Sequence, residues 1–170
     1  MVAALTHEKK KMLDIKPEMN EIGVEAQELK DRLAFLVDED TEAFNQVMEA
    51  NRLPANDEKE KKVKEKAVDT ANKYAIDIPM ETAEKCFRVI ELTNTLVEKG
   101  NPNSVSDAGV SAEIALAGVR GGGMNVLINL NGIDDQEYCS KKRTAVETLI
   151  KKAESLHQTV FNKTMKRIDD

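Results

Sequence analysis

The chain has 170 residues, a formal net charge of −6, 41% hydrophobic and 33% charged residues, and no Trp. That length suits one domain with one core, and the acidic balance argues against a general nucleic-acid binder. No apolar run approaches the roughly 20 residues of a membrane helix, and few aromatics among many Ala, Leu, Glu and Lys favour helix over sheet.

The opening Met1–Thr6 is too short for a signal-peptide core, and no cleavage site comes after it. Residues 15–50 read as a helix. Ile22, Ala26, Leu29, Leu33 and Leu36 recur at spacings of four and three, one helix face. Continued, the stripe places Asp40 where an apolar residue would stand, then Phe44 and Val47. A buried carboxylate finds partners or shifts its pKa upward, and a raised pKa suits a general acid/base near neutrality. The alternative is a slight roll or kink that leaves Asp40 wet, and periodicity alone holds the two even.

Asn51–Asp57 is a break, with Asn56 or Asp57 able to cap the next helix. Residues 58–74 carry dense charge and a thin stripe (Val63, Ala67, Ala71, Tyr74), the pattern of a solvated helix. Pro79 is predicted in the first turn of another helix, capped near Asp77 or Ile78. Ala83, Cys86, Phe87, Ile90 and Val97 give that helix a buried face, and Gly100 is expected as its left-handed stop.

After a loop at 101–106, Ser104 and Asp107 resemble a capping box. A small-residue helix at 108–119 is expected to be central and most buried. Gly121–Gly123 is expected to interrupt or bend it, and Met124–Leu130, strand or helix by pattern, is taken as a second helical segment. A long helix at 134–168 carries the stripe Tyr138, Lys142, Ala145, Leu149, Ala153, Leu156 and Val160. The sum is an all-α bundle of five to six helices, several long and antiparallel, of the kind that often dimerises.

Cys86 and Cys139 lie in separate helical patterns; one bridge between them is arithmetically possible, and the preferred reading is two free thiols of a reducing cytosol. No Cys/His spacing resembles a zinc site, and His7 and His157 read as surface residues. Asp107 satisfies helix-start amides or, alternatively, holds an amino or imino nitrogen of a ligand. Asn101, Asn125 and Asn129 cluster around the small-residue helix, and a buried amide there bonds backbone or a polar ligand. Arg120 precedes glycines that lack the Lys-Ser/Thr of a phosphate loop.

Four segments in register resemble one family. Asp40-Thr41-Glu42-Ala43-Phe44 resembles its D-x-x-A-F segment, with Ala50-Asn51-Arg52-Leu53-Pro54 after it; Ile78-Pro79 resembles the turn before its next helix. Gly100-Asn101 with Ser106-Asp107 resembles its G-N…S-D segment, and Asn125-Val126-Leu127-Ile128-Asn129-Leu130 its N-V-x-x-N-L segment. On these residues the chain resembles the formiminotetrahydrofolate cyclodeaminase / methenyltetrahydrofolate cyclohydrolase family. The resemblance implies an all-helical, dimeric or larger enzyme that acts on a tetrahydrofolate derivative as substrate, with no metal or redox cofactor and no nucleic-acid or membrane partner. It implies Asp40 as the proton-transfer residue and Asp107 as a second catalytic carboxylate. Asn101, Asn125, Asn129, Arg120 and Phe44 would contact substrate, and a formiminotransferase would be a possible partner. The family's Pro-Gly-Gly-Gly-Ser-type segment has no counterpart before Thr6, which is read as a short or divergent start. The expected reaction is cyclisation of 5-formiminotetrahydrofolate with loss of ammonia. Cyclohydrolase activity, or a non-catalytic helical scaffold, is the alternative.

Overall fold

A computed structural model of the chain describes residues 1–169, except the side chains of Lys10 and Lys11. Its helices are α1 (Val2–His7), α2 (Lys16–Arg52), α3 (Glu58–Lys99), α4 (Val105–Asn129) and α5 (Gln136–Asp169), with short 3₁₀ segments at Lys10–Ile15, Pro102–Ser104 and Leu130–Gly132. No strand occurs among the described residues.

The start signals explain the boundaries. Pro17 stands in the first turn of α2, where its missing N–H costs nothing. Asp57 caps α3 by accepting from the Glu60 amide at 2.7 Å. Asp135 does the same for α5, accepting from the Tyr138 amide at 3.0 Å. Ser104 departs from the expected capping box: its hydroxyl donates to the Asn101 carbonyl and caps no α4 amide. Gly100 is not left-handed either, with φ −71° and ψ 175°. A side chain there would press on the Leu96 carbonyl, which already accepts from the Gly100 amide.

α3 is the central helix, in contact with α2, α4 and α5. Ile76, Pro79, Ala83, Cys86, Ile90, Thr93 and Val97 are buried along it at alternating spacings of three and four. The small-residue helix α4, expected to be innermost, turns only one side inward. Ala108, Ala112, Ala115, Val119, Gly122 and Val126 face the core, while Val110, Ile114, Met124 and Ile128 are 57–68% exposed. Its glycines neither break nor bend it out of helix; they mark close approach. A Cβ on Gly122 would lie 2.6 Å from the Pro79 carbonyl, and one on Gly118 2.5 Å from the Cys86 Sγ.

Pro79 likewise starts no helix, since α3 runs unbroken through it. A proline inside a helix orphans the carbonyl four residues back, here that of Ala75. Asn129 of α4 donates its Nδ2 to that carbonyl at 2.8 Å. The lost backbone bond is replaced from the neighbouring helix, so the helix survives.

On α5 the buried seam is Val146, Ala153 and Val160, and Ala145 is exposed. His157 is no free surface residue: its side chain is 13% exposed and its Nε2 lies 2.8 Å from Glu113 Oε1. Both cysteines are free thiols, and burial pushes the Cys86 thiol up.

Asn129→Ala leaves the Ala75 carbonyl without its partner, at a cost of about 1–3 kcal/mol. In a Pro79→Ala background residue 79 recovers its own N–H, so the cost of Asn129→Ala shrinks to a fraction of that. Urea unfolding of the four variants as a double-mutant cycle reads the coupling, and additive effects would refute it.

Candidate active site

α2 touches the body mainly through α3. One row of its side chains is therefore buried along its length, Ile22, Leu29, Leu36, Ala43 and Ala50, each seven residues from the next, and of the companion row only Met19 at the α1 end is buried. The companion row, Ala26, Leu33, Asp40 and Val47, looks across a groove at α4. The expectation that Asp40 replaces an apolar residue on a buried stripe is corrected accordingly. The row is as the periodicity placed it, but it lines a groove, and Asp40 is exposed. A helix with one close neighbour has one seam to bury, not two.

α2 and α4 together line cavities at both ends of α4. The first has a volume of about 340 Å³ and is lined by Asp40, Phe44 and Val47 of α2, Asn72 and Ala75 of α3, and Asn125 and Asn129 of α4. Asp40 makes no ion pair among the described residues, and Asn125 makes no side-chain hydrogen bond there. Asn72 donates to the Gly132 carbonyl at 2.9 Å, as Asn129 does to Ala75. Each of the latter two keeps its amide oxygen for other use. The cleft thus presents one carboxylate and three carboxamides around Val47, Ala75 and the 63% exposed ring of Phe44. Such a set can hold a flat heterocycle rich in donors and acceptors while a proton is moved at Asp40.

The second cavity, about 730 Å³, is mostly apolar and is lined by α1, by α2 from Met19 to Leu33, by Leu92 and Leu96 of α3, and by Asp107 and Ser111 of α4. Asp107 is exposed at its rim. It stands eighteen residues from Asn125 along the same helix, about 27 Å. Within one chain, then, the structure does not bring Asp107 to Asp40.

Of the sequence-predicted residues, Asp40, Phe44, Asn125 and Asn129 meet in one cleft. Arg120 points instead to α5, where its guanidinium meets Glu154 at 2.7 Å. Asn101 is buried and structural: its Oδ1 accepts from the Asn103 amide at 3.1 Å, and its own amide donates to Thr6 Oγ1 at 2.8 Å. Sequence reasoning missed Asn72, which lies in a charge-dense run that reads as solvent-facing; nothing local marks it. Immediately before Asp40, Glu39 joins a clamp in which Arg32 of α2 donates twice to Glu81 of α3 at 2.7 Å and lies 2.8 Å from Glu39. The clamp holds α2 to α3 beside the cleft.

The profile of the formiminotransferase-cyclodeaminase family matches residues 1–148. A methenyltetrahydrofolate cyclohydrolase of Methylorubrum extorquens is 32% identical over 169 residues, 99% of this chain and 81% of that protein. The formimidoyltransferase-cyclodeaminase of Gallus gallus is 28% identical over 153 residues, and the chain spans only 28% of its length. The crystal structure of a formiminotetrahydrofolate cyclodeaminase from Thermotoga maritima superposes with a TM-score of 0.77 at 28% identity, over 99% of this chain and 78% of that one.

The clamp beside Asp40 carries a pH signature. The Arg32 guanidinium holds the Glu81 carboxyl below its ordinary value of 4.5. A lowered folded-state pKa adds stability that is present above 4.5 and lost as pH falls through the lower folded value. Acid unfolding followed by circular dichroism is therefore expected to show a wild-type advantage over Glu81→Gln near neutrality that shrinks as the pH falls below 4.5. An unchanged difference down to low pH would contradict the clamp.

Proposed function

The chain belongs to the formiminotransferase-cyclodeaminase family, and we propose that it cyclises 5-formiminotetrahydrofolate to 5,10-methenyltetrahydrofolate with release of ammonia. The observation that carries this reading is the cleft in which Asp40 faces Asn72, Asn125 and Asn129. Folate N10 attacks the formimino carbon held on N5 and forms a tetrahedral centre with three nitrogens. The N10 proton leaves, the amino group takes a proton and departs as ammonia, and the carbon is left as the methenyl bridge. Carbon stays at one oxidation level throughout, so the step calls for no redox cofactor.

Asp40 is suited to accept the N10 proton and return it to the leaving nitrogen. Amide is a very poor leaving group and ammonia a tolerable one, so timing of that proton decides the rate. Proton transfer of this kind contributes about 10²–10⁴-fold. The carboxamides offer both donors and acceptors and can pin the pterin ring at fixed orientation. Covering the cleft excludes water from the reacting atoms. A formiminotransferase, in this chain's company or apart from it, would supply the substrate.

The second reading is the cyclohydrolase, in which water attacks the methenyl carbon and opens the bridge to a formyl group. The long match to the Methylorubrum extorquens protein favours it. The same carboxylate would then activate water.

The test is the methenyl chromophore. Purified chain given 5-formiminotetrahydrofolate is expected to raise it above the spontaneous rate, and Asp40→Asn to lower kcat by about 10²–10⁴-fold with the fold intact. Loss of a supplied methenyl chromophore instead would establish the cyclohydrolase. A chain active in neither direction, and with no folate-dependent rise in Tm, would be a scaffold.

A further inference from the structure

Two of the three amides in the Asp40 cleft are held in one orientation. Asn72 of α3 donates its Nδ2 to the Gly132 carbonyl at 2.9 Å, and Asn129 at the end of α4 donates its Nδ2 to the Ala75 carbonyl at 2.8 Å. The two bonds are reciprocal. On each side the asparagine and the accepting carbonyl stand three residues apart, Asn72 and Ala75 on α3, Asn129 and Gly132 beyond the end of α4. A carboxamide has a donor end and an acceptor end, and such a bond decides which end goes where. Turning either amide over would set its oxygen against a carbonyl oxygen. At Ala75 the turn would also leave a carbonyl that Pro79 has already deprived of its helical donor. Both nitrogens are therefore committed to backbone, and both oxygens are without a hydrogen-bond donor among the described residues.

The charge of the cavity points the same way. Among the described residues, Asp40 is the one charged side chain that lines it. Lys73, next to Asn72, is turned away: its Nζ lies 2.9 Å from Asp69 and 5.3 Å from the centre of the Tyr138 ring on α5. The cavity of about 340 Å³ thus presents one carboxylate and two fixed carbonyl oxygens, all of them acceptors. Asn125, without a side-chain bond there, is the amide able to turn either end inward. Fixed acceptors beside an anion leave a ligand's own acceptors unpaired, and they suit N–H groups, above all those of a cation.

That polarity separates two one-carbon groups of nearly the same shape. A formimino group on N5 is an amidine, which binds a proton near neutrality and then carries two N–H donors on its terminal nitrogen. A formyl group has an oxygen in that place, which only accepts. We propose that Asn72 and Asn129 determine specificity: their fixed oxygens, with the Asp40 carboxylate, hold the terminal N–H groups of an amidinium ion and reject a carbonyl in its place. This inference rests on the reaction proposed above. The same oxygens act on the departing nitrogen. It carries two N–H bonds as the amino group of the tetrahedral centre and three once Asp40 has returned the proton. Acceptors already in place hold the three-donor form more strongly, so they favour departure as well as binding.

Two variants isolate the Asn72 oxygen. Asn72→Leu and Asn72→Asp both lose the bond to Gly132, and both are expected to lower Tm, but only the aspartate keeps an acceptor in the cleft. The first measurement needs no turnover. The isotope-labelled full chain is titrated in the NMR tube with formamidinium and with formamide, which differ by one terminal nitrogen against oxygen, as the two folates do. Formamidinium is expected to shift the Asn129 side-chain amide signals saturably, and formamide at the same concentration is not. The response is lost in Asn72→Leu and kept in Asn72→Asp. Formamide acting equally, or formamidinium leaving the signals unmoved, overturns the proposal. The second measurement is kinetic. For 5-formiminotetrahydrofolate, kcat/KM is expected to fall about 10–100-fold in Asn72→Leu and by much less in Asn72→Asp. 5-Formyltetrahydrofolate, a weak inhibitor of the wild type, is expected to bind Asn72→Leu no worse. Equal losses in the two variants would reduce Asn72 to a support for Gly132 and overturn its part in specificity. If the wild type turns over neither folate while formamidinium still shifts Asn129, the reaction reading has failed and the acceptor wall stands.

Discussion

The molecule is organised around the contact of α4 with α3 at Pro79. A proline in the middle of a 42-residue helix would ordinarily end it. Here Asn129 takes up the orphaned Ala75 carbonyl, and Gly122 lets the α4 backbone settle onto the Pro79 carbonyl. Each feature needs the other. Without the amide the carbonyl is unsatisfied, and without the glycine α4 stands too far off to deliver it.

The candidate site is a consequence of that contact. Bringing α4 against Pro79 sets Asn125 and Asn129 beside α3 at the level of Asn72 and Ala75, where Asp40 and Phe44 of α2 close the other wall. One asparagine therefore has a structural duty at its amide nitrogen and leaves its oxygen to the cleft. The site is built from three helices of which α2 and α4 make few direct contacts, each packing mainly on α3. Separation of that kind makes a groove open to a flat ligand, and it leaves the outer face of α4 free of any partner within the chain.

The two long outer helices show how packing sets burial. α2 and α5 each bury a row spaced by seven, Ile22 to Ala50 and Val146 to Val160, the spacing at which one face of a helix returns to a neighbour it runs along. Their second rows carry mixed residues. On α2 that row carries Asp40, and the Arg32 clamp to Glu81 and Glu39 fixes the helix immediately before it.

Much was legible in the sequence. The 3.6-residue periodicity determined the helices, their order and the all-α bundle, since those depend on neighbours along the chain. It also determined the row on which Asp40 stands, and motif spacing singled out Phe44, Asn125 and Asn129. The tertiary structure decided whether a row faces a core, a groove or solvent, which depends on how many helices lie against it. It turned α4 from the expected centre into a helix with one open side. It kept α3 whole through Pro79, because the replacement hydrogen bond comes from fifty-four residues away. It recruited Asn72, set Arg120 and Asn101 to structural tasks, and parted Asp107 from Asp40 by most of the length of α4. Local rules could reach none of these, because each is a contact between segments whose separation in sequence carries no signal of their meeting in space.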